Sequence, residues 1–456
     1  MASAAEQLAA NLNFSSFAKA EDLKRRLWFT LGALIIYRLG TFIPMPGIDP
    51  VAFAATFKQS SQGILGMFNM FSGGAVERMA IFALNIMPYI SASIIMQLLT
   101  SVDKRLEALK KEGEAGRKTI NQYTRYLTVV LAALQAYGIA IGLEGARAGN
   151  ASVVIDPGWF FRVSTVITLV GGTVFLMWLG EQITARGVGN GISLIIFAGI
   201  VAALPAALVQ LFELNRQGQL HTLMLLALLA VMIAAIVVIV FFERAQRRLL
   251  VQYPKRQVGN RMFQGDSSHL PLKLNTAGVI PPIFASSLLL LPITAAQFMT
   301  APGAQAPEWL RTVTAALGYG QPLHMAFYVA LIIFFCFFYT AVVFNPQETA
   351  DNLRKYGGFL PGRRPGAQTA EYIDYVLTRI TVVGAIYIAG VCLLPEIMIA
   401  YAGVPQSFGA VLGGTSLLIA VSVTMDTVAQ VQSHLLAHQY EGLIKKAKLR
   451  GGTGKR

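Results

Sequence analysis

The sequence predicts an all-α membrane protein with ten transmembrane helices arranged as two pseudo-symmetric, inverted five-helix halves, and three observations lead there. The 456 residues are 55% hydrophobic and only 13% charged, about half the roughly 25% charge that a water-facing surface uses, and the mean hydropathy is +0.56. Ten stretches reach the length of about 17 to 25 apolar residues that a helix needs to cross a hydrocarbon core of about 30 Å. Lysine and arginine alternate in density between the segments that join those stretches. The apolar content excludes disorder, and two cysteines, Cys336 and Cys392, both inside apolar runs, exclude a disulfide scaffold.

In chain order the spans are Leu27–Ile43, Ala80–Leu99, Leu127–Leu143, Val163–Leu179, Ile192–Leu211, Leu223–Phe242, Ala277–Phe298, Met325–Phe344, Ile380–Ile399 and Val411–Val428. They lack the two-residue alternation of a β-barrel. Trp28, Trp159 and Trp178 lie near span ends, as interfacial anchors do. Residues 1–26 mix acidic and basic residues without an apolar core, so no cleavable signal peptide is expected. Residues 1–26, 100–126, 180–191, 243–276, 345–379 and 429–456 hold 30 of the 37 Lys and Arg; the alternate segments hold six, and Arg38 lies inside the first span. Positive loops stay cytoplasmic, so both termini are expected there, with the net charge of +14 gathered on one face. The expected organisation is a cytoplasmic segment (1–26), an N-terminal half (27–211), a C-terminal half (212–428) and a basic tail (429–456). Five spans per half, an odd number, invert the second half, the arithmetic of repeats found in many transport proteins.

No catalytic constellation is visible, so neither enzymatic activity nor a cofactor is expected. The terminal Gly451–Arg456 is not a phosphate-binding loop, and Gly187, Gly189 and Gly191 do not fit the dinucleotide fingerprint. His434 and His438 share a helix face with no third ligand nearby, so no metal is expected. Intramembrane charge costs about 2.5 to 3.5 kcal/mol per central Arg or Asp and marks function by default. Of the three candidates, Arg38 and Glu396 lie near span ends and are expected to snorkel, and Asp426 lies near the cytoplasmic end of the tenth span. An ion-coupled small-solute secondary transporter, the alternative reading, wants such groups at the midplane, where the sequence places none.

Between the first two spans, Ile64, Leu65, Met67, Phe68, Asn69, Met70, Phe71, Ser72 and Gly73 form a segment too short to span and bounded by glycines. It lies at the interface or folds back into a protein-lined cavity. The stretch that follows, Ile81-Phe82-Ala83-Leu84-Asn85-Ile86-Met87-Pro88-Tyr89-Ile90-Ser91-Ala92-Ser93-Ile94, closely resembles the SecY family, the central subunit of the bacterial protein-conducting channel. The resemblance extends through Met67–Gly74, Asn85–Leu99, Glu112–Tyr126, Met177–Leu204, His269–Ser287, Phe334–Leu353, Arg364-Pro365-Gly366 and Gly413–Ile419.

The resemblance implies a clamshell of two halves around an hourglass pore that passes unfolded polypeptides and releases hydrophobic segments sideways into lipid. It assigns the pore ring to Ile86, Ile90, Ile192, Ile196, Ile283 and Ile419; an apolar ring of stiff β-branched side chains holds back ions by dewetting. Ordinary bundle packing also explains isoleucines at this spacing. Residues Ile64 to Gly73 become a re-entrant plug helix. The lateral gate lies between the second and seventh spans, with Ser91, Phe284 and Ser287 on its walls. Gln97, Gln135 and Asn275 are expected either to latch it or to make ordinary interhelix hydrogen bonds. Pro281 and Pro282 are expected to kink the seventh span. The loops 243–276 and 345–379 carry twelve Lys and Arg, and Lys255, Arg256, Arg261 and Arg364 become docking residues for the motor ATPase SecA or the translating ribosome. SecE, SecG, signal-sequence-bearing preproteins and the lipid bilayer complete the implied partners. Asn85 departs from the resemblance, standing where glycine is expected beside the first pore isoleucine.

Overall fold

The computed structural model describes residues 21–60, 69, 72–145, 147–148, 151–218, 221–254, 256–258, 261–263, 267–299, 308–316, 318, 320–402 and 414–451. Its helices are α1 (Glu21–Gly40), α2 (Pro50–Ser60), α3 (Met87–Val102), α4 (Lys104–Lys111), α5 (Glu114–Gly145), α6 (Trp159–Arg186), α7 (Gly191–Arg216), α8 (Thr222–Arg244), α9 (Ile280–Met299), α10 (Glu308–Ala316), α11 (Pro322–Val343), α12 (Pro346–Lys355), α13 (Ala367–Ala402) and α14 (Gly414–Gly451). Ten of them, α1, α3, α5, α6, α7, α8, α9, α11, α13 and α14, coincide with the ten expected spans. Among the described residues seven helices are long and apolar enough to cross a membrane, and α3 and α9 add shorter apolar stretches. The first helix escapes that test because it begins among Glu21, Asp22, Lys24, Arg25 and Arg26 and ends beside Arg38.

Sequence sets the boundaries locally. The Asn190 side chain accepts the Ile192 N–H at 3.1 Å and so caps α7. In the same way Asn345 caps α12, accepting the Gln347 and Glu348 N–H groups and separating α12 from the long α11. The turn from α6 to α7 explains the glycines that fit no nucleotide motif. A Cβ on Gly191 would stand 1.9 Å from the Gly180 carbonyl oxygen, so only glycine lets the two helices meet there. The turn's backbone is satisfied from distant helices: Val188 N–H donates to Thr30 Oγ1 of α1 and Gly189 N–H to Gln430 Oε1 of α14.

Three expectations are corrected. The second span is not helical from Ala80: residues 72–86 fold as tight turns and α3 starts at Met87, with Pro88 in its first turn. Pro281 and Pro282 do not kink the seventh span, because α9 starts at Ile280 and both fall in its first turn, where a backbone N–H has no helical partner to lose. Glu396 does not snorkel. It is 1% exposed, accepts the Gly320 N–H at 3.0 Å and pairs with the buried His324 Nδ1 at 2.6 Å.

Helices α1, α3, α5, α6 and α7 pack together, as do α8, α9, α11, α13 and α14. The two groups meet along two seams: α9 lies against α3 and α5 on one, while α14 against α7 and α1, with α7 against α8, form the other. One core runs through both groups, built from residues such as Ile86, Leu176, Ile195, Phe284, Ile332, Ile388 and Leu418. A second core beneath α2 joins Met45, Phe53 and Phe57 to Ala136, Val154 and Phe161.

Beyond the spans, strands β3 (Gln246–Gln252) and β6 (Ser267–Lys273) pair antiparallel, with β4 (Arg256–Val258) and β5 (Arg261–Phe263) at the hairpin tip; β1 (Arg147–Ala148) and β2 (Ala151–Ser152) form a separate short ribbon. Gln252 and Phe359 exchange both backbone hydrogen bonds at 2.9 Å, stitching the hairpin to the segment between α12 and α13. Leu249, Leu272, Leu360, Ile373 and Ile380 make a small shared core beneath both.

Replacing Glu396 with leucine removes the partner of the part-buried Gly320 N–H and of the buried His324 ring, and a buried polar group that loses its partner costs about 1 to 3 kcal/mol. Glu396→Leu is therefore expected to lower the thermal unfolding midpoint in detergent by several degrees, and Glu396→Gln, which keeps a carbonyl acceptor, by less. Equal midpoints for Glu396→Leu and the parent would show that the pair contributes nothing.

Candidate functional site

Four of the six ring isoleucines share one cavity. Ile86 sits at the N-cap of α3 and Ile90 in its first turn, Ile196 lies in the second turn of α7 and Ile283 in the first of α9; together with Asn85, Met87 and Ser286 they line a narrow space at the seam between the halves. About 10 Å³ is open within it, roughly the room of one water molecule. Neither polar side chain carries charge, and the Ser286 hydroxyl already donates to the Ile283 carbonyl at 3.0 Å. Apart from the Asn85 amide, a water chain entering here meets apolar walls, which offer too little to replace an ion's hydration shell. Ile419 and Ile192 belong to the same core but do not line this cavity. Ile419 is 1% exposed, and Ile192 lies so close to α6 that a Cβ on Gly180 would meet its Cγ1 at 3.1 Å.

The backbone before α3 aims the first two isoleucines. Asn85 is buried and has φ +49°, a left-handed conformation that glycine and, among the rest, asparagine adopt most readily. The glycine expected here and the asparagine found thus meet one demand.

Along the candidate gate, Phe284 of α9 is buried edge-on against Phe335 of α11, with centroids 5.6 Å apart. Ser287 is buried and turns its hydroxyl back to the Ile283 carbonyl at 2.8 Å, while Ser91 on α3 is half-buried. The three polar residues expected as latches do not bridge the seam. Asn275 donates from Nδ2 to Glu243 Oε1 of α8 at 2.6 Å and to the Gly278 carbonyl at 3.1 Å. Gln97 and Gln135 make no side-chain hydrogen bond among the described residues, and Gln97 Oε1 is buried without a partner.

Of the candidate plug, Asn69, Ser72 and Gly73 are described; Ile64, Leu65, Met67, Phe68, Met70 and Phe71 lie outside the described residues. The described end is moored. Asn69 Oδ1 accepts the Glu77 N–H at 2.9 Å while its Nδ2 donates to Glu77 Oε2 at 3.3 Å, and the Ser72 hydroxyl donates to the Asn69 carbonyl. Arg38 does not extend to the interface either: its guanidinium donates to the Gly73 carbonyl and stacks on Phe42, which Arg78 also covers. Sequence reasoning noted Arg38 as a costly charge but not this contact, because its partner is a backbone carbonyl 35 positions away.

Of the candidate docking residues, Arg364 is exposed on the turn before α13, where its carbonyl accepts from Thr369 Oγ1 at 2.9 Å. Arg256 and Arg261 fall on the tip strands β4 and β5, and Lys255 lies outside the described residues. The sequence offered no sign that the two basic loops are stitched together at Gln252 and Phe359.

The SecY family model matches residues 80–428. The chain belongs to the SecY family. It is 56% identical over 440 residues to the protein translocase subunit SecY of Rickettsia bellii, covering 96% of this chain and 100% of that one. With the subunit of Escherichia coli K12 it shares 56% over 430 residues, covering 94% and 96%. Solved structures share the fold at low identity. A SecY channel, described by a plug domain that stabilizes the closed state and maintains a membrane seal, superposes with a TM-score of 0.64 at 18% identity, covering 90% of this chain and 92% of that one. Sec61 in the canine ribosome–channel complex superposes with a TM-score of 0.61 at 17% identity, with the same coverage. The ten-helix, all-α architecture is that of these channels, and the chain is a multi-pass membrane protein.

Replacing Ile86, Ile196 and Ile283 together with serine is expected to make the cavity wettable and raise the resting ion conductance of reconstituted channels in planar bilayers. Basal conductance unchanged from the parent would rule out this constriction as the ion barrier.

Proposed function

We propose that the chain is the pore-forming subunit of a bacterial protein translocase: it conducts unfolded preproteins across the plasma membrane and releases hydrophobic segments sideways into the bilayer, with no enzymatic activity of its own. The observation that carries the reading is the uncharged, isoleucine-lined cavity at the seam between two five-helix halves. A passage for any polypeptide cannot offer fixed hydrogen-bond partners, and one for ions or small solutes needs them. The positive-inside balance places both termini in the cytoplasm, and the division at about residue 211 puts five spans in each half. Ile192 and Ile419, in the same core, belong to the ring as well, and the segment from Ile64 to Gly73 is the plug that closes the outer funnel.

The stitched basic loops form the cytoplasmic docking face, with Arg364 exposed on it. Positive charge there suits ribosomal RNA phosphates, in keeping with the ribosome-bound channel that shares the fold. SecA is the second partner of that face, and SecE and SecG are the small membrane subunits that complete the complex.

A signal sequence carries roughly 7 to 15 apolar residues and gains free energy by reaching lipid, so the seam between α3 and α9 must part. Cysteines replacing Ser91 and Ser287, oxidised to a disulfide, are expected to stop preprotein transport in reconstituted vesicles, with reduction restoring it. Cys336 and Cys392 are buried and do not compete. Full transport after verified crosslinking would remove this seam from the mechanism.

Reversal of charge at the docking face supplies a separate test. Arg364→Glu is expected to abolish motor-driven transport while the subunit still inserts and assembles. A parental transport rate in that variant would sink the docking role.

A further inference from the structure

The root of α9 is held more firmly than its flank. Leu274 N–H donates to the Ala245 carbonyl at 2.9 Å, extending the β3–β6 ladder whose last pair is Gln246 with Lys273. Gly384 of α13 presses so closely that a Cβ there would stand 2.7 Å from the Leu274 carbonyl oxygen. Asn275, 6% exposed, donates to Glu243 at the end of α8 and to the Gly278 carbonyl, and accepts the Gly278 N–H at 2.9 Å. All of these partners lie in the C-terminal half. Gly278, with φ +64°, is the one residue of this elbow in the left-handed region, and Pro281 and Pro282 stiffen the turn beyond it. Across the seam, by contrast, no side-chain hydrogen bond joins the helical residues of α9 to those of α3 or α5 among the described residues.

We propose that Glu243 is a positioning residue of the lateral gate: by holding Asn275 it fixes the root of α9 to α8, so that α9 parts from α3 and α5 by turning at Gly278 while its root stays in place. The inference rests on the reading of α3 and α9 as the gate and adds where the moving wall is hinged. Glu243 lies at the end of α8, whose main helix neighbours are α14, α13 and α7, and Asn275 is its hydrogen-bond partner at the root of α9.

The test uses the reconstituted translocase complex carrying cysteines in place of Ser91 and Ser287, with Glu243 kept or replaced. Glu243→Ala is expected to slow disulfide formation across the seam by about threefold or more, the scale of one net hydrogen bond. Glu243→Gln keeps an acceptor oxygen for Asn275 and is expected to stay within about twofold of the parent. A separate cysteine pair at Gln246 and Lys273, opposed residues whose Cα atoms lie within about 5.5 Å in an antiparallel ladder, locks the root. Oxidising it is expected to leave transport at the parental rate. Parental crosslinking in Glu243→Ala, or loss of transport on locking the root, would overturn the proposal. Should Glu243→Ala fail to assemble, the root lock decides alone. The two readings fail separately: transport through a closed 91–287 bridge removes the gate, while the crosslinking rates still report whether Glu243 positions α9.

Discussion

The interruption of the second span at Asn85 is the constraint on which the rest of the structure depends. A continuous helix from Ala80 would present its apolar residues at a 3.6-residue period along its length. With Asn85 in the left-handed region, residues 72–86 fold as turns, Ala80 bridges back to Pro44, and α3 begins at Met87 with Ile86 as its cap. The same break carries the chain from the moored end at Asn69, Ser72 and Gly73 directly to the cavity wall. Irregular backbone at membrane depth is tolerable only where protein surrounds it. Here Ile81 N–H donates to the Ile43 carbonyl and Met45 N–H to the Met79 carbonyl, so the first span's exit supplies the partners that a helix would otherwise provide.

Polar groups elsewhere obey the same rule. Glu396, His324 and Gly320 satisfy one another inside the C-terminal half, and Thr30 and Gln430 complete the turn before α7. Each such pairing joins elements distant in sequence, which makes hydrogen bonds in this interior determinants of packing. The cavity at the seam is the exception by composition, since isoleucine and methionine make up five of its seven lining residues beside Asn85 and Ser286. Polar contacts thus fasten helices within each half and, through Gln430, at the second seam, while around the cavity the halves meet mainly through apolar ones.

Much of this was legible in the sequence. Apolar length located all ten spans, because the bilayer imposes one length scale on every helix. Ile86, Ile90, Ile196 and Ile283, four of the isoleucines that the family resemblance assigns to a ring, line one cavity. What the sequence concealed depends on start positions and long-range partners. Pro281 and Pro282 read as a kink because hydropathy begins at Ala277, while the helix begins at Ile280. Asn275 read equally as a gate latch and as an ordinary interhelix bond, and only the fold shows Glu243 of α8 beside it. Glu396 read as a snorkelling group because nothing in the sequence brings His324, 72 positions earlier, into its pocket.

The pairing of Gln252 with Phe359 has a mechanical consequence. Two loops of independent sequence, joined by reciprocal backbone bonds and seated on the common apolar base of Leu249, Leu272, Leu360 and Ile373, cannot be deflected one at a time. The hairpin is rooted in α8 and α9, and the other arm in α12 and α13. A load applied at either tip is therefore passed to both loops and on to the helices that root them, α8, α9, α12 and α13.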